Sequence, residues 1–188
     1  KLNSNRRFVT LESKIKRELG EKVLKSLPDL VVERKSRRSY PHSNIASQVI
    51  GFTNTDDSGL VGIERQFEEY LSGKDGWIVK QVNVAGRTGS FHKANYPKQD
   101  PDDGSNIQLT IDLEYQSILQ EELQRRIDES GAKGAMGVLM DPQNGDILAM
   151  ASLPDFDLNN PNMTPLENQK NKVITDQFEP GSTFKIVA

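Results

Sequence analysis

The chain has 188 residues, 24 lysines and arginines against 27 acidic residues, and a formal net charge of −3. Cysteine is absent, which excludes disulfides, thiol nucleophiles and cysteine-held metals together. No apolar run approaches the roughly 18 residues of a membrane helix, and the two histidines, His42 and His92, lie far apart without carboxylates at metal-ligand spacing.

Charge is unevenly spread. Residues 1–38 hold 12 basic and 5 acidic side chains, and the remainder 12 and 22. A basic half raises nucleic acid or an anionic membrane as partner. The pattern favours a solvated helix face instead. Leu11, Ile15, Leu19 and Val23 recur at helical spacing, with Lys14, Lys16, Arg17, Lys22 and Lys25 on the other faces. Phe8 is the one aromatic there for base stacking, so no nucleic acid is expected.

Thr10 is the expected cap of this first helix and Pro28-Asp29 its end. Leu30–Glu33 reads as a short strand, followed by a charged run and the turn Ser39-Tyr40-Pro41. Ile45–Phe52 is apolar and leads into a polar loop, Thr53–Gly59. Ile63, Phe67, Tyr70 and Leu71 share one face of a short helix that Gly73 closes. Trp77–Val84 has strand character. Residues 86–104 lose apolar periodicity and gain Gly, Pro, Asp and Ser, which places a domain boundary near Pro101–Gly104.

Ile107, Leu109 and Ile111 alternate with Gln108 and Thr110, the pattern of a half-buried strand. Asp112 is the expected N-cap of a long helix carrying Tyr115, Leu119, Leu123 and Ile127 and stopped by Gly131. Gly134–Met140 and Asp146–Ser152 flank Asn144-Gly145, the strongest short-range hairpin signal. Asp141 and Asp146 belong to that turn and need no catalytic role. Leu153–Asn171 reads as a Pro- and Asn-rich loop, and the chain ends on what looks like the first turn of a helix after Pro180-Gly181. Such an end suggests a piece of a longer protein.

Ser182 and Lys185 stand in that last turn. Three residues apart on a helix they share a face, within reach of a hydrogen bond. A neutral lysine amine there can take the serine proton, the serine–lysine form of nucleophilic catalysis. The helix dipole would favour negative charge at Ser182, and its N–H could serve an oxyanion hole. Ser-x-x-Lys alone is a weak string, with about one chance match expected in a chain of this composition. It recurs at Ser13–Lys16, inside the basic amphipathic segment, where it reads as surface. What distinguishes Ser182 is context: a turn before, a helix after and a hairpin upstream.

Glu179-Pro180-Gly181-Ser182-Thr183-Phe184-Lys185 resembles the active-site serine segment of class B penicillin-binding proteins, the peptidoglycan D,D-transpeptidases. Met140-Asp141-Pro142, Gly145–Met150 and Pro154-Asp155-Phe156 resemble the opening strands of the transpeptidase sheet, and Leu109–Asp112 with Gln116 the start of its first helix. Upstream, Arg38-Ser39-Tyr40-Pro41, Gln48–Asn54, Gly59–Glu64 and Leu71-Ser72-Gly73 look like the family's pedestal. Val61 departs from the family, standing where many relatives carry an acidic residue.

The resemblance implies an α+β chain: a pedestal (dimerisation-type) domain over residues 1–103, then over 104–188 the opening helix, β-hairpin and nucleophile segment of a serine transpeptidase domain. It implies that Ser182 is the nucleophile and Lys185 its base, acting on D-Ala-D-Ala stem peptides and acylated by β-lactams. Arg38 and Glu64 are expected to form a structural tie between pedestal and catalytic domain. No cofactor or metal is implied. The spacing most resembles the cell-division (septal) type, at the periplasmic face of the bacterial membrane through an anchor absent from this chain. Ser-x-Asn and Lys-Thr-Gly motifs are expected after Ala188, and without them neither turnover nor a stable penicillin adduct is expected of these residues alone. The alternatives are a non-catalytic pedestal that docks cell-wall or division proteins, and a β-lactam sensor of the same fold.

Overall fold

The computed structural model describes residues 9, 11–12, 15–27, 30, 37–79 and 97–186. The chain divides into two compact units, Lys1–Arg37 and Arg38–Ala188.

In the first unit, helix α1 spans Arg17–Ser26, starting well after the segment in which the apolar spacing begins. Lys16 precedes it and makes no side-chain cap, since an ammonium has no acceptor for the first N–H groups. Ile15 folds over the first turn, where a Cβ on Gly20 would lie 3.5 Å from its Cδ1. An exposed Arg17–Glu21 pair at 2.9 Å supports the outer face. The expected cap Thr10, the stop at Pro28-Asp29 and most of the strand at 30–33 lie outside the described residues.

The second unit begins with turns over Pro41–Ala46 that lead into helix α2, Ser47–Ile50. Gly51 follows with φ +76°, and a Cβ there would meet the Val61 carbonyl oxygen, so only glycine lets these two strands of chain cross. The expected helix over 63–71 is two short ones, α3 Gly62–Gln66 and α4 Glu68–Leu71. Phe67 leaves helical geometry between them (φ −113°, ψ 24°) and turns its ring toward Tyr70.

Residues 97–102, read from sequence as part of a linker, return to pair with 74–79. Strand β1 (Trp77–Ile78) runs antiparallel to β2 (Lys98–Gln99), and Lys74 bridges Asp102. Trp77–Ile78 open the segment expected as a strand, of which 80–84 lie outside the described residues; the partner at 98–99 is exposed and carries no apolar pattern.

Asp112 caps helix α5, Leu113–Ser130, its Oδ1 accepting from the N–H groups of Glu114 and Tyr115, and Gly131 ends it in the left-handed region. The hairpin is present as β3 (Ala135–Met140) and β4 (Ile147–Leu153), with a register shift at Leu139/Met140. Asp141 Oδ1 accepts from Gln143 N, and Asp146 Oδ2 from Asn144 Nδ2, so both acids build the turn. The predicted strand at 107–111 is absent. Its alternation of half-buried and exposed residues holds, but only Thr110 and Asp112 reach the backbone of β4.

Residues 153–171 are not a plain loop. They contain a 3₁₀ turn (Pro161–Met163) and α6 (Leu166–Gln169), followed by α7 (Lys172–Thr175). They also supply the core: Phe156 and Leu158 are buried with Phe52, flanked by Tyr40, Ile50 and Val61. Phe52 and Phe156 meet edge to face at 5.8 Å, a geometry the ring quadrupoles favour. The core therefore lies where residues 40–61 meet 149–158.

Candidate active site

Pro180 and Gly181 (φ +56°) redirect the chain into a six-residue 3₁₀ turn, Gly181–Ile186, where an α-helical turn was expected. In 3₁₀ geometry residues three apart eclipse one another, so Ser182 and Lys185 fall on one side. Both are exposed, and no hydrogen bond joins them. The dipole support argued for an α-helix does not attach to so short a turn. A cleft of about 510 Å³ lies elsewhere, against Arg38, Tyr40, Ile63, Glu64, Ile107 and Leu158. Among the described residues no cluster of three His, Asp or Glu side chains could hold a metal.

Arg38 and Glu64 meet in a fork: Nε donates to Oε1 at 2.9 Å and Nη2 to Oε2 at 3.0 Å. The Glu64 side chain is 8% exposed, that of Arg38 39%. Tyr40 OH donates to Glu64 Oε1 at 3.3 Å and accepts from Thr53 N at 3.2 Å. The hydrogen bond to Glu64 holds the Arg38 guanidinium above its ordinary range. Burial, then the neighbouring Glu64 charge, raises the Tyr40 phenol. Both charged partners lie within residues 38–64; the step to the later segment is made by Tyr40, whose N–H and carbonyl bond the Asn159 amide at 3.2 and 2.9 Å. Asp157, half-buried beside it, is held below the usual carboxylate range by the Asn159 N–H and the Asn160 side chain.

Sequence reading missed a set of buried amides. Strand β4 pairs with β3 on one edge and, among the described residues, with no strand on the other. Along that outer edge Thr110 Oγ1 donates to Ile147 O (2.7 Å) and Asp112 N to Leu148 O (2.8 Å). Gln116, fully buried, then acts like a strand residue: its Oε1 accepts from Met150 N at 2.8 Å and its Nε2 donates to Met150 O at 3.0 Å. Gln48 Nε2 continues the edge to Ser152 O at 2.9 Å. Gln120 joins the two parts of the unit, accepting from Ala46 N and Gln116 Nε2 and donating to Asn44 O and Asp155 Oδ2. These glutamines sit on helix faces where polarity signals solvent, so the only signal for Gln48 and Gln116 was membership in the family blocks, and Gln120 carried none.

A family model for the penicillin-binding protein dimerisation domain matches residues 3–109, more than half of the chain. The chain belongs to the penicillin-binding proteins. A second model, the penicillin-binding protein transpeptidase domain, matches residues 135–188, which include the hairpin and the Ser182 turn. Peptidoglycan D,D-transpeptidase FtsI of Escherichia coli (strain K12) is 33% identical over 184 residues, covering 97% of this chain and 31% of that protein. FtsI of Buchnera aphidicola is 36% identical over 189 residues, covering 97% of this chain and 32% of that protein. The crystal structure of penicillin-binding protein 3 from Mycobacterium tuberculosis superposes with a TM-score of 0.60 at 30% identity, covering 80% of this chain and 30% of that one. The chain thus spans about a third of the length of the relatives it matches. The α+β architecture and the family expected from sequence hold. No described helix is long and apolar enough to cross a membrane.

Proposed function

We propose that the whole protein is a serine D,D-transpeptidase that cross-links peptidoglycan, with residues 1–103 as pedestal and 104–188 opening the catalytic domain. Ser182 Oγ attacks the D-Ala-D-Ala carbonyl as Lys185 takes its proton. The bond to the terminal D-Ala breaks and that residue leaves with the proton, giving an ester on Ser182. The amine of a neighbouring stem peptide displaces the ester, forming the cross-link and returning the proton to Ser182. A β-lactam enters the same first step and stays as the ring-opened ester.

The observation that carries this reading is an exposed Ser182 and Lys185 on one side of a turn within the matched transpeptidase segment. The septal assignment draws on the FtsI relatives, whose names give the same activity. It places the protein at the periplasmic face of the bacterial membrane, with the pedestal as docking surface for division proteins. Arg38 and Glu64 serve as a structural tie. The test is the mass of the whole protein after incubation with benzylpenicillin. One adduct mapping to Ser182, absent from Ser182→Ala at unchanged melting temperature, supports the reading, and an adduct on another residue or none refutes it.

A further inference from the structure

Gln48 lies on α2, yet its amide nitrogen bonds only distant chain. Nε2 donates to Ser152 O at 2.9 Å, Asn168 O at 3.0 Å and Pro154 O at 3.3 Å, while Oε1 accepts from Ser47 Oγ at 3.1 Å. Three carbonyls around one nitrogen fix the orientation of the amide, since an amide oxygen there would face only other acceptors. The residue is 7% exposed, so water does not compete for these bonds.

The three acceptors differ in what else holds them. Ser152 belongs to β4, which the hairpin secures. Asn168 sits in α6, a helix too short to satisfy its own carbonyls. The segment around it is tied internally by Gln169 Nε2, which donates to Pro161 O at 3.0 Å and Thr164 O at 3.1 Å. Its polar ties to β4 are few. Asn171 Nδ2 reaches the Met150 sulfur at 3.2 Å, a weak acceptor, and its buried Oδ1 has no hydrogen-bond partner. Gln48 is the stronger polar link between the end of β4 and the chain that runs through α7 into the Ser182 turn.

We propose that Gln48 is a positioning residue for the nucleophile segment: from the pedestal side it sets the spacing between β4 and Asn168, and so the entry of α7 and the Ser182 turn. This rests on the reading of Ser182 as the nucleophile. A small displacement of a reacting group lowers rate more than binding, by up to about a hundredfold for 1 Å.

The test uses the whole protein with Gln48→Leu, and with Asn159→Ala as a junction variant that removes the amide bonded to Tyr40. Benzylpenicillin acylation is resolved into the dissociation constant of the first complex and the acylation rate constant, and amide exchange is followed at residues 169–175. Gln48→Leu is expected to slow acylation about tenfold or more, with the dissociation constant unchanged and exchange at 169–175 faster. Asn159→Ala is expected to lower the melting temperature and leave the rate constant within about twofold. Wild-type acylation by Gln48→Leu overturns the proposal. If that variant does not fold, Gln48→Asn, which keeps the amide one carbon short, takes its place with the same criterion. If the wild-type protein forms no adduct, the transpeptidase reading fails instead, and unchanged exchange at 169–175 then overturns the positioning role separately.

Discussion

Gln116 is fully buried and uses both ends of its amide on Met150, whereas Ser182 and Lys185 stand exposed with no hydrogen bond between them. The junction of residues 38–64 with 112–171 spends polar side chains on replacing a missing strand along β4 and on bridging two stretches of chain. The turn at 181–186 leaves polar groups uncommitted. Inside the protein an unpaired amide is costly, so burial demands complete pairing, and a reacting pair must stay available for substrate. Structural and chemical polarity therefore differ in accessibility more than in residue type.

The same contrast applies to aromatics. Phe156 is 4% exposed and Phe178 73%. Phe156→Ala removes the edge-to-face partner of Phe52 and leaves a cavity, an expected loss of about 4 kcal/mol, while Phe178→Ala should change stability by less than about 0.5 kcal/mol. Chemical denaturation of the two variants measures both. Equal losses would show that the chain past α7 is as firmly packed as the junction.

The next largest effect concerns Glu64. Arg38→Ala strands its buried carboxylate, and the expected loss is about 3 kcal/mol, with benzylpenicillin acylation of the whole protein unaltered. Normal melting with lost acylation would move Arg38 from the structural side of the comparison to the chemical one.

The smallest effect is a pH dependence. Burial and the Glu64 charge raise the folded Tyr40 phenol above its ordinary value of 10.0. The folded state then holds the phenol proton more tightly than the unfolded one. Its contribution is complete below pH 10.0 and is lost as pH rises through the folded value. Tyr40→Phe should flatten this alkaline decline, read as the difference between the two proteins' denaturation midpoints at pH 8 and at about pH 11. Identical slopes would mean that the phenol is as solvated as an exposed one.

Local chemistry was legible in the sequence wherever a few neighbouring residues decide the conformation. Asp112 and Gly131 bound α5, Asn144-Gly145 turns the hairpin, and Pro180-Gly181 precedes the Ser182 turn, because capping and turn geometry depend on side chains within a few positions. Alternation misled at 107–111, where the burial pattern of a strand is present but the side-chain hydroxyl of Thr110 and one N–H stand in for a ladder. The strand expected from Trp77 onward is present at 77–78, while its partner at 98–99 was missed for the opposite reason, since pairing without burial leaves no apolar period.

The family, the α+β order of elements and the Ser182–Lys185 spacing were determined by the sequence alone, because each is carried by residues close together in the chain. Tertiary structure alone decided that Phe156 and Leu158 complete the core, that Gln116 serves as a strand edge and that Gln48 reaches from α2 to Asn168. Those contacts join residues more than a hundred positions apart or turn polar side chains inward. Whether a glutamine faces water or a row of unpaired carbonyls depends on what the rest of the chain brings to it.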